Sequence, residues 1–427
     1  LKMSYDKYQD YSIEWLGMIP SLWELVKFKR FAKIKNGKDQ KEVSIEEGGY
    51  PIMGTGGQFG RSSQFIHNKP SVLLGRKGTI NKPQFIEEPF WTVDTLFYTE
   101  IFEDVHPKFL YYLAQQIPFD MLQESSAVPS MTQEKLNSVY LCKPSFLEQT
   151  HIAHYLDHQT SIIDQLIEKK QKLIELLKEK RQAVINESVT KGLDPNVKMK
   201  DSGIEWLGEV PEHWKVKPLK HLGSLKGRLG WKGLKAEEYV ESGYGFLSTP
   251  DIKSDFIDFK KINFITEERF LESPEIILEI GDVLLVKDGS TLGIVNMIKE
   301  LPLPSTVNSS IGIIRIINKE ELDPEFLMWQ IKSDYMQVVI SRLKTGQGVP
   351  HLFQKDIKNF LVLLPPLKEQ KNLIICIKDM NTRVSNLLKD IEDQIQKLKE
   401  YRQSIISEAV TGKIDVRAWE PIKTELS

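Results

Sequence analysis

The chain repeats parts of itself, and this duplication limits what it can fold into more than any single motif does. Ile13-Glu14-Trp15-Leu16-Gly17, followed by Pro20 and Trp23, returns in the second half as Ile204-Glu205-Trp206-Leu207-Gly208, followed by Pro211 and Trp214. A longer repeat lies downstream, again at a constant offset. There, Pro144, Glu148, Gln149, Arg181-Gln182, Glu187, Val189, Thr190 and Asp194 return as Pro365, Glu369, Gln370, Arg402-Gln403, Glu408, Val410, Thr411 and Asp415. The second offset exceeds the first, so the segment between the repeats is longer in the second half. Residues 21–143 and 212–364 share only echoes. Val72-Leu73-Leu74 before Gly78 matches Val283-Leu284-Leu285 before Gly289, and Pro107 with Phe109-Leu110 matches Pro324 with Phe326-Leu327. Two parts of one molecule are alike and two have diverged. The like parts are expected to share a structural job, and the unlike parts to perform two versions of another.

The long repeats read as helices. Stepping alternately by four and three from Ile152 gives Ile152, Leu156, Gln159, Ile163, Leu166, Lys170, Leu173, Leu177, Lys180 and Val184, of which seven are apolar. The matching series is Leu373, Ile377, Met380, Val384, Leu387, Ile391, Gln394, Leu398, Tyr401 and Ile405, with nine apolar. A sustained 3.5-residue period is the seam of a coiled coil. Pro144 and Pro365-Pro366 mark the starts, and Gly192 and Gly412 the ends. Two such copies predict an antiparallel pair of rods, each of about 60 Å at ~1.5 Å per residue.

The variable segments read as mixed α/β. Val72–Leu74, Phe97-Tyr98, Val283–Val286 and Ile311–Ile317 have strand character, and Phe109–Gln116 and Pro324–Arg342 have helix character. Overall charge does not advertise a polyanion partner, since 57 basic and 59 acidic residues nearly cancel. Locally, however, each segment opens on a basic stretch. Lys27, Lys29, Arg30, Lys33, Lys35, Lys38 and Lys41 stand in the first, and Lys215, Lys217, Lys220, Lys226, Arg228, Lys232 and Lys235 in the second. A solvated surface explains one such stretch, whereas recurrence favours a phosphate-binding face. Arg76-Lys77-Gly78 and Lys287-Asp288-Gly289-Ser290 follow equivalent strands and place polar groups on loops suited to phosphates or base edges.

These strings resemble the specificity subunit of type I restriction–modification systems, over nearly the whole chain. The most telling are Lys200-Asp201-Ser202-Gly203-Ile204-Glu205-Trp206-Leu207-Gly208, Pro365-Pro366-Leu367-Lys368-Glu369-Gln370 and Glu408-Ala409-Val410-Thr411-Gly412-Lys413-Ile414-Asp415. Gly75-Arg76-Lys77-Gly78 with Trp91-Thr92-Val93-Asp94-Thr95 is similar to one type of that family's target-recognition domain. The resemblance implies an α+β chain. Two mixed α/β target-recognition domains would be separated by two long antiparallel coiled-coil helices with a pseudo-twofold repeat. The expected division is 1–20, a conserved start; 21–143, the first target-recognition domain; 144–211, the central conserved region; 212–364, the second domain; and 365–427, the C-terminal conserved region. Each domain would read one half of an asymmetric bipartite site in double-stranded DNA. The helices would set the spacing and dock two modification (methyltransferase) subunits, which restriction (ATP-dependent translocase and nuclease) subunits would join.

The residues expected at DNA are Lys35, Arg61, Arg76, Lys77, Ser125 and Ser126 in the first domain, and Lys226, Arg228, Lys287, Ser290 and Gln347 in the second. The Ser125-Ser126 and Gln347 loops each precede a matching Val-Pro, at Val128-Pro129 and Val349-Pro350. No catalytic, metal or cofactor site is expected, because the family's chemistry belongs to its partner subunits. Consistent with that, no Asn-Pro-Pro-Phe-like string occurs, and Gly54-Thr55-Gly56-Gly57-Gln58-Phe59-Gly60 lacks the phosphate-loop lysine. His151, His154 and His158 share one helical face, but the second copy has Asn372, Ile375 and Asp379 there, so the repeat itself does not need metal. Two distant cysteines and no apolar run near ~20 residues suit a cytoplasmic protein. The polar start is not expected to be a signal peptide, and Leu1 as first residue points to initiation at Met3 or at a non-standard codon. The competing readings are a recognition subunit of a related bipartite-site system, a coiled-coil protein adaptor, and an enzyme with an unrecognised site.

Overall fold

The computed structural model describes residues 4–13, 15–123, 128–204, 207–227, 234, 236–344 and 350–421. Their contacts divide the chain into two compact units that do not follow chain order. One is residues 1–171 with 392–427, and the other is residues 172–391. Each unit thus holds one variable domain, the first part of the long helix that follows it, and the last part of the other long helix.

The domains are built alike. In the first, strands β1 (Ala32–Asn36), β2 (Ser71–Gly75), β3 (Gln84–Ile86) and β4 (Leu96–Ile101) form an antiparallel sheet in the order β1-β4-β2-β3. In the second, β5 (Gly223–Lys226), β6 (Val283–Val286), β7 (Val295–Met297) and β8 (Ile311–Ile316) repeat it as β5-β8-β6-β7. The central strands β2 and β6 are buried at every residue, which is why their sequences run apolar instead of alternating. Each domain adds a second small sheet containing a parallel pair, Tyr50–Gly54 with Trp91-Thr92 and Tyr244–Leu247 with Ser305–Val307.

Helix α1 (Pro107–Ala114) lies where a helix was expected. The expected single helix over Pro324–Arg342 is instead two, α3 (Pro324–Lys332) and α4 (Asp334–Leu343). Ser333 breaks it. Its backbone is extended, it is fully buried, and its hydroxyl donates to the Gln330 carbonyl at 2.5 Å. Serine competes for backbone partners in this way, and nothing in the apolar pattern reveals it.

The marker repeats form hairpins, Tyr8–Asp10 with Met18–Pro20 and Met199–Asp201 with Glu209–Pro211. Two-stranded ribbons then close each domain, pairing Glu24–Lys27 with Tyr140–Lys143 and Lys215–Pro218 with Leu361–Leu364. Each ribbon delivers the chain to a long helix, α2 (Phe146–Thr190, 45 residues) or α5 (Leu367–Val410, 44 residues).

In the first unit, Ile152, Leu156 and Ile163 near the start of α2 share a core with Ile405, Ala409 and Val410 at the end of α5. In the second, Ile185 and Val189 at the end of α2 share a core with Leu373 and Ile377 at the start of α5. The two helices are therefore antiparallel. Gly412 ends α5 at φ +72°, and a Cβ there would sit 2.4 Å from Pro20 of the marker hairpin, so glycine is needed on both counts.

The seam differs from expectation by one residue at six of its twenty positions. Leu156, Ile163, Lys170 and Leu177, with Ile377, Val384, Ile391, Leu398 and Ile405, are turned inward as read. The companions Leu166, Leu173, Lys180, Leu387, Gln394 and Tyr401 are exposed, and the next residues, Ile167, Ile174, Arg181, Leu388, Ile395 and Arg402, take their places. At Leu166-Ile167, Leu173-Ile174 and Leu387-Leu388 both neighbours are apolar, so there a 4-3 and a 3-4 phase fit the sequence equally well. Only the side on which the partner lies decides between them. Polar pairs cross the seam in the first unit, with Lys170 to Gln394 at 2.6 Å and Arg402 to Asp164 at 2.9 and 3.2 Å.

The repeated glutamines explain themselves. Gln149 is fully buried. Its amide donates to the carbonyls of Pro144 (2.9 Å) and Asp104 (3.3 Å), and its oxygen accepts the His106 N–H (2.9 Å). Gln370 does the same with the carbonyls of Pro365 (2.9 Å) and Glu321 (2.8 Å) and the Asp323 N–H (2.9 Å). Each ties the ribbon's exit and the cap of the domain helix to the first turn of the long helix.

Two outcomes follow, both readable by chemical denaturation. Gln370→Leu leaves three backbone groups without this partner and should cost about 3 kcal/mol or more, at ~1–3 kcal/mol per unpaired group. Ile174 is 8% exposed and Leu173 44%. Ile174→Ala should therefore cost about 2 kcal/mol or more and Leu173→Ala under about 1 kcal/mol; the reverse order would restore the other seam phase.

Candidate nucleic-acid interface

At the end of β2 the chain turns sharply through Arg76-Lys77-Gly78. The N–H groups of Arg76 and Lys77 both donate to the Thr95 carbonyl, at 2.8 and 3.2 Å. The turn is then clipped to a distant segment, with Gly78 N–H to Pro129 O at 2.9 Å and Met131 N–H to Arg76 O at 2.9 Å. Gly78 has φ +83°, a conformation that disfavours any side chain.

The end of β6 is built in the same way. Gly289 N–H donates to Pro350 O at 3.0 Å and Leu352 N–H to Lys287 O at 2.9 Å, and Gly289 has φ +92°. Both domains therefore present the turn after the central strand locked to the segment that follows the Val-Pro. The loops expected beside these turns precede the Val-Pro, and residues 124–127 and 345–349 lie outside the described residues.

The side chains on this frame differ. Arg76 is half-buried, with Nη1 bonded to the Asp94 carbonyl at 3.2 Å and the guanidinium 5.9 Å from the Phe97 ring centre. Lys77 is exposed. In the second domain Lys287 is only 8% exposed, and its ammonium bonds Asp288 at 2.8 Å. Asp288 in turn bonds His351. The Lys287 charge is thus neutralised inside the domain, while Ser290, further along the turn, is exposed.

The remaining expected residues lie as follows. Lys35 is exposed on edge strand β1, 3.6 Å from Glu100. Arg61 is exposed on the strand Gly57–Ser62, its Nη1 3.4 Å from the Gly49 carbonyl. Lys226 is half-buried on edge strand β5. Ser125, Ser126, Arg228 and Gln347 fall outside the described residues. In the first basic stretch Lys29, Arg30, Lys33, Lys35, Lys38 and Lys41 are all exposed. In the second, Lys215 and Lys220 are exposed, while Lys217 is half-buried and bonded to Glu321.

The sequence reading did not single out the neighbouring cleft. It has a volume of ≈ 450 Å³ and is lined by Thr55, Gln58, Phe59, Asp94 and Thr95 among others. Phe59 is 58% exposed there. The glycine run Gly54–Gly57 was the visible signal, and its meaning is a tight hairpin beside the Arg76 turn. Asp288 and His351 also went unread, because partners so distant in sequence leave no spacing motif.

Chemically the surface offers cationic and amide donors on a rigid frame, which suits recognition of phosphates and base edges. Among the described residues no group of three or more His, Cys, Asp or Glu side chains is placed to hold a metal ion. No described helix is long and apolar enough to cross a membrane. On the histidine face of α2, His154 lies 6.1 Å from His106 and His158 5.2 Å from Trp419, ring centre to ring centre.

The chain is 25% identical to the type I restriction enzyme MjaVIII specificity subunit of Methanocaldococcus jannaschii, over 93% of its own length and 94% of that protein's. It is 22% identical to the type I restriction enzyme EcoBI specificity subunit of Escherichia coli, over 80% and 73%. Among solved structures, a chain from work on complex assembly and conformational transition of the type I R-M system shares the fold, with a TM-score of 0.70 at 14% identity over 93% and 99% of the two chains. The profile described as Type I restriction modification DNA specificity domain matches residues 20–176 and again 211–397. A match in both halves, over most of the chain, makes this protein a member of the type I restriction–modification specificity family, with the DNA specificity domain present twice.

Proposed function

We propose that the chain is the non-catalytic DNA-recognition subunit of a type I restriction–modification complex and works in the cytoplasm. Residues 21–143 and 212–364 each read one half of a bipartite site in duplex DNA. The observation that carries this reading is the pair of clipped turns. One backbone frame, held by equivalent hydrogen bonds in both domains, displays Arg76-Lys77 in one and Asp288 with Ser290 in the other. A shared frame with different side chains is what two half-sites of different sequence require.

Exposed lysines and arginines of the basic stretches, Lys35 among them, supply affinity through phosphates. Side chains of the turns supply specificity through base edges. Arg61, Lys226, Arg228, Ser125, Ser126 and Gln347 belong to the same proposed surface. Lys287 serves it indirectly, by holding Asp288. Modification subunits that carry methyl transfer, and restriction subunits, are the proposed partners.

The test is methylation mapping with the chain and its modification subunits. Arg76→Ala should relax one half-site only, at about 1–3 kcal/mol if a bidentate base contact is lost. Relaxation of both halves or of neither, a perfectly palindromic site, or methyl transfer by the chain alone would each defeat the proposal. A second outcome concerns spacing. Inserting one heptad into each helix, after Gln171 and after Ile391, adds about 10 Å of rise. The preferred gap between half-sites should lengthen by about three base pairs, at ~3.4 Å each, or binding should be lost. Methylation of the original site at the original rate would show that the helices do not set the gap.

A further inference from the structure

Each variable domain rests on the first turns of the long helix that follows it, and the polar contact there has opposite polarity in the two units. In the first, Lys108 in the opening turn of α1 bonds Asp157 of α2 at 2.9 Å. The Tyr112 hydroxyl, one turn on, donates to the other Asp157 oxygen at 2.8 Å and lies 3.1 Å from the Thr160 hydroxyl. In the second, the equivalent residues are Glu325 on α3 and Lys378 on α5, bonded at 3.2 Å. Trp329 and Asn381 stand where the first unit has Tyr112 and Thr160.

The equivalence is set by the repeats. Lys108 and Glu325 each follow the proline that opens the domain helix, and Asp157 and Lys378 are related by the same offset that relates Gln149 to Gln370. Reversing one partner alone would set two like charges against each other. Both partners differ in sign between the units, so the pair has changed as a pair. The contact is also partly sheltered, with Lys108 34% and Asp157 33% exposed in the first unit and Glu325 13% exposed in the second. Secondary partners follow the same sign on each domain, with Glu87 3.8 Å from Lys108 and Lys299 3.5 Å from Glu325.

We propose that this reversed ion pair is a docking code that assigns each recognition domain to its own helix. The start of α2 accepts a domain carrying a cation at the position of Lys108. The start of α5 accepts a domain carrying an anion at the position of Glu325. A domain placed on the wrong helix sets Lys108 against Lys378 or Glu325 against Asp157, and like charges meeting at a packed interface disfavour the wrong partner. It also loses the Tyr112 hydroxyl bond to Asp157. Exchange of recognition domains between chains is thereby restricted to the matching slot, whatever DNA sequence the domain reads.

The full chain tests this by thermal unfolding, without DNA. Lys108→Glu and Asp157→Lys, and separately Glu325→Lys and Lys378→Glu, should each lower the midpoint by about 2–4 °C. Each reversed double variant should recover at least half of the summed loss, whereas additive losses would overturn the code. A second arm exchanges residues 21–143 with 212–364 and compares that chain with the same chain carrying Asp157→Lys and Lys378→Asp. The code predicts more folded protein and a higher midpoint for the charge-corrected chain. Equal yield and equal midpoint, or failure of both to fold, would overturn it.

Discussion

A buried glutamine at the first turn of each long helix holds this architecture together. Gln149 and Gln370 each satisfy three backbone groups that burial would otherwise leave unpaired: two carbonyls, one of them at the ribbon's exit, and the N–H at the cap of the domain helix. One side chain thereby fixes the approach of a domain to its helix. The preceding glutamate adds to the tie. Glu148 accepts the Tyr5 hydroxyl at 2.6 Å, and Glu369 accepts the Trp214 indole N–H at 3.1 Å and meets His213 at 2.8 Å. The first of these links joins the chain's start to α2, and the second joins the central marker to α5. The Glu-Gln dipeptide persists in both copies because its bonds go to backbone and to the marker repeat, and none goes to the variable surface.

Backbone clips extend the same logic to the turns after the central strands. Gly78 to Pro129 and Gly289 to Pro350 use only main-chain groups, so the turn keeps its course whatever side chains it carries. Lys77 and Ser290 are exposed and take no part in these clips through their side chains, so variation there disturbs the fold little, whereas Asp288 is tied to the nearly buried Lys287. Glycine's positive φ is the one fixed demand at each turn. The domain-to-helix contact obeys a different rule. Lys108–Asp157 and Glu325–Lys378 are side-chain bonds, and they differ where the helices are otherwise alike. The molecule thus separates a main-chain frame that is alike in both domains from side chains that differ between them.

The chain's own repetition determined the duplicated plan, the two long helices and their ends, and the central strand that leads into each glycine turn. Its two constant offsets, Ile13 to Ile204 and Pro144 to Pro365, express it directly, because equal spacing between matched residues survives only where the structure between them is equal. The central strands were legible because burial on both faces leaves an unbroken apolar run. The basic stretches were legible because exposed lysines cluster in sequence before they cluster in space. Tertiary structure alone decided which flank of the apolar stripe became the seam, since Leu173 and Ile174 are equally apolar and only the partner helix buries one of them. It also decided that Ser333 would break a helix, that Lys287 would turn inward to Asp288 while Lys77 faced solvent, and that equivalent ion pairs would run in opposite directions. Each of these depends on a contact between residues far apart in the chain, and a local pattern carries no record of what lies across from it.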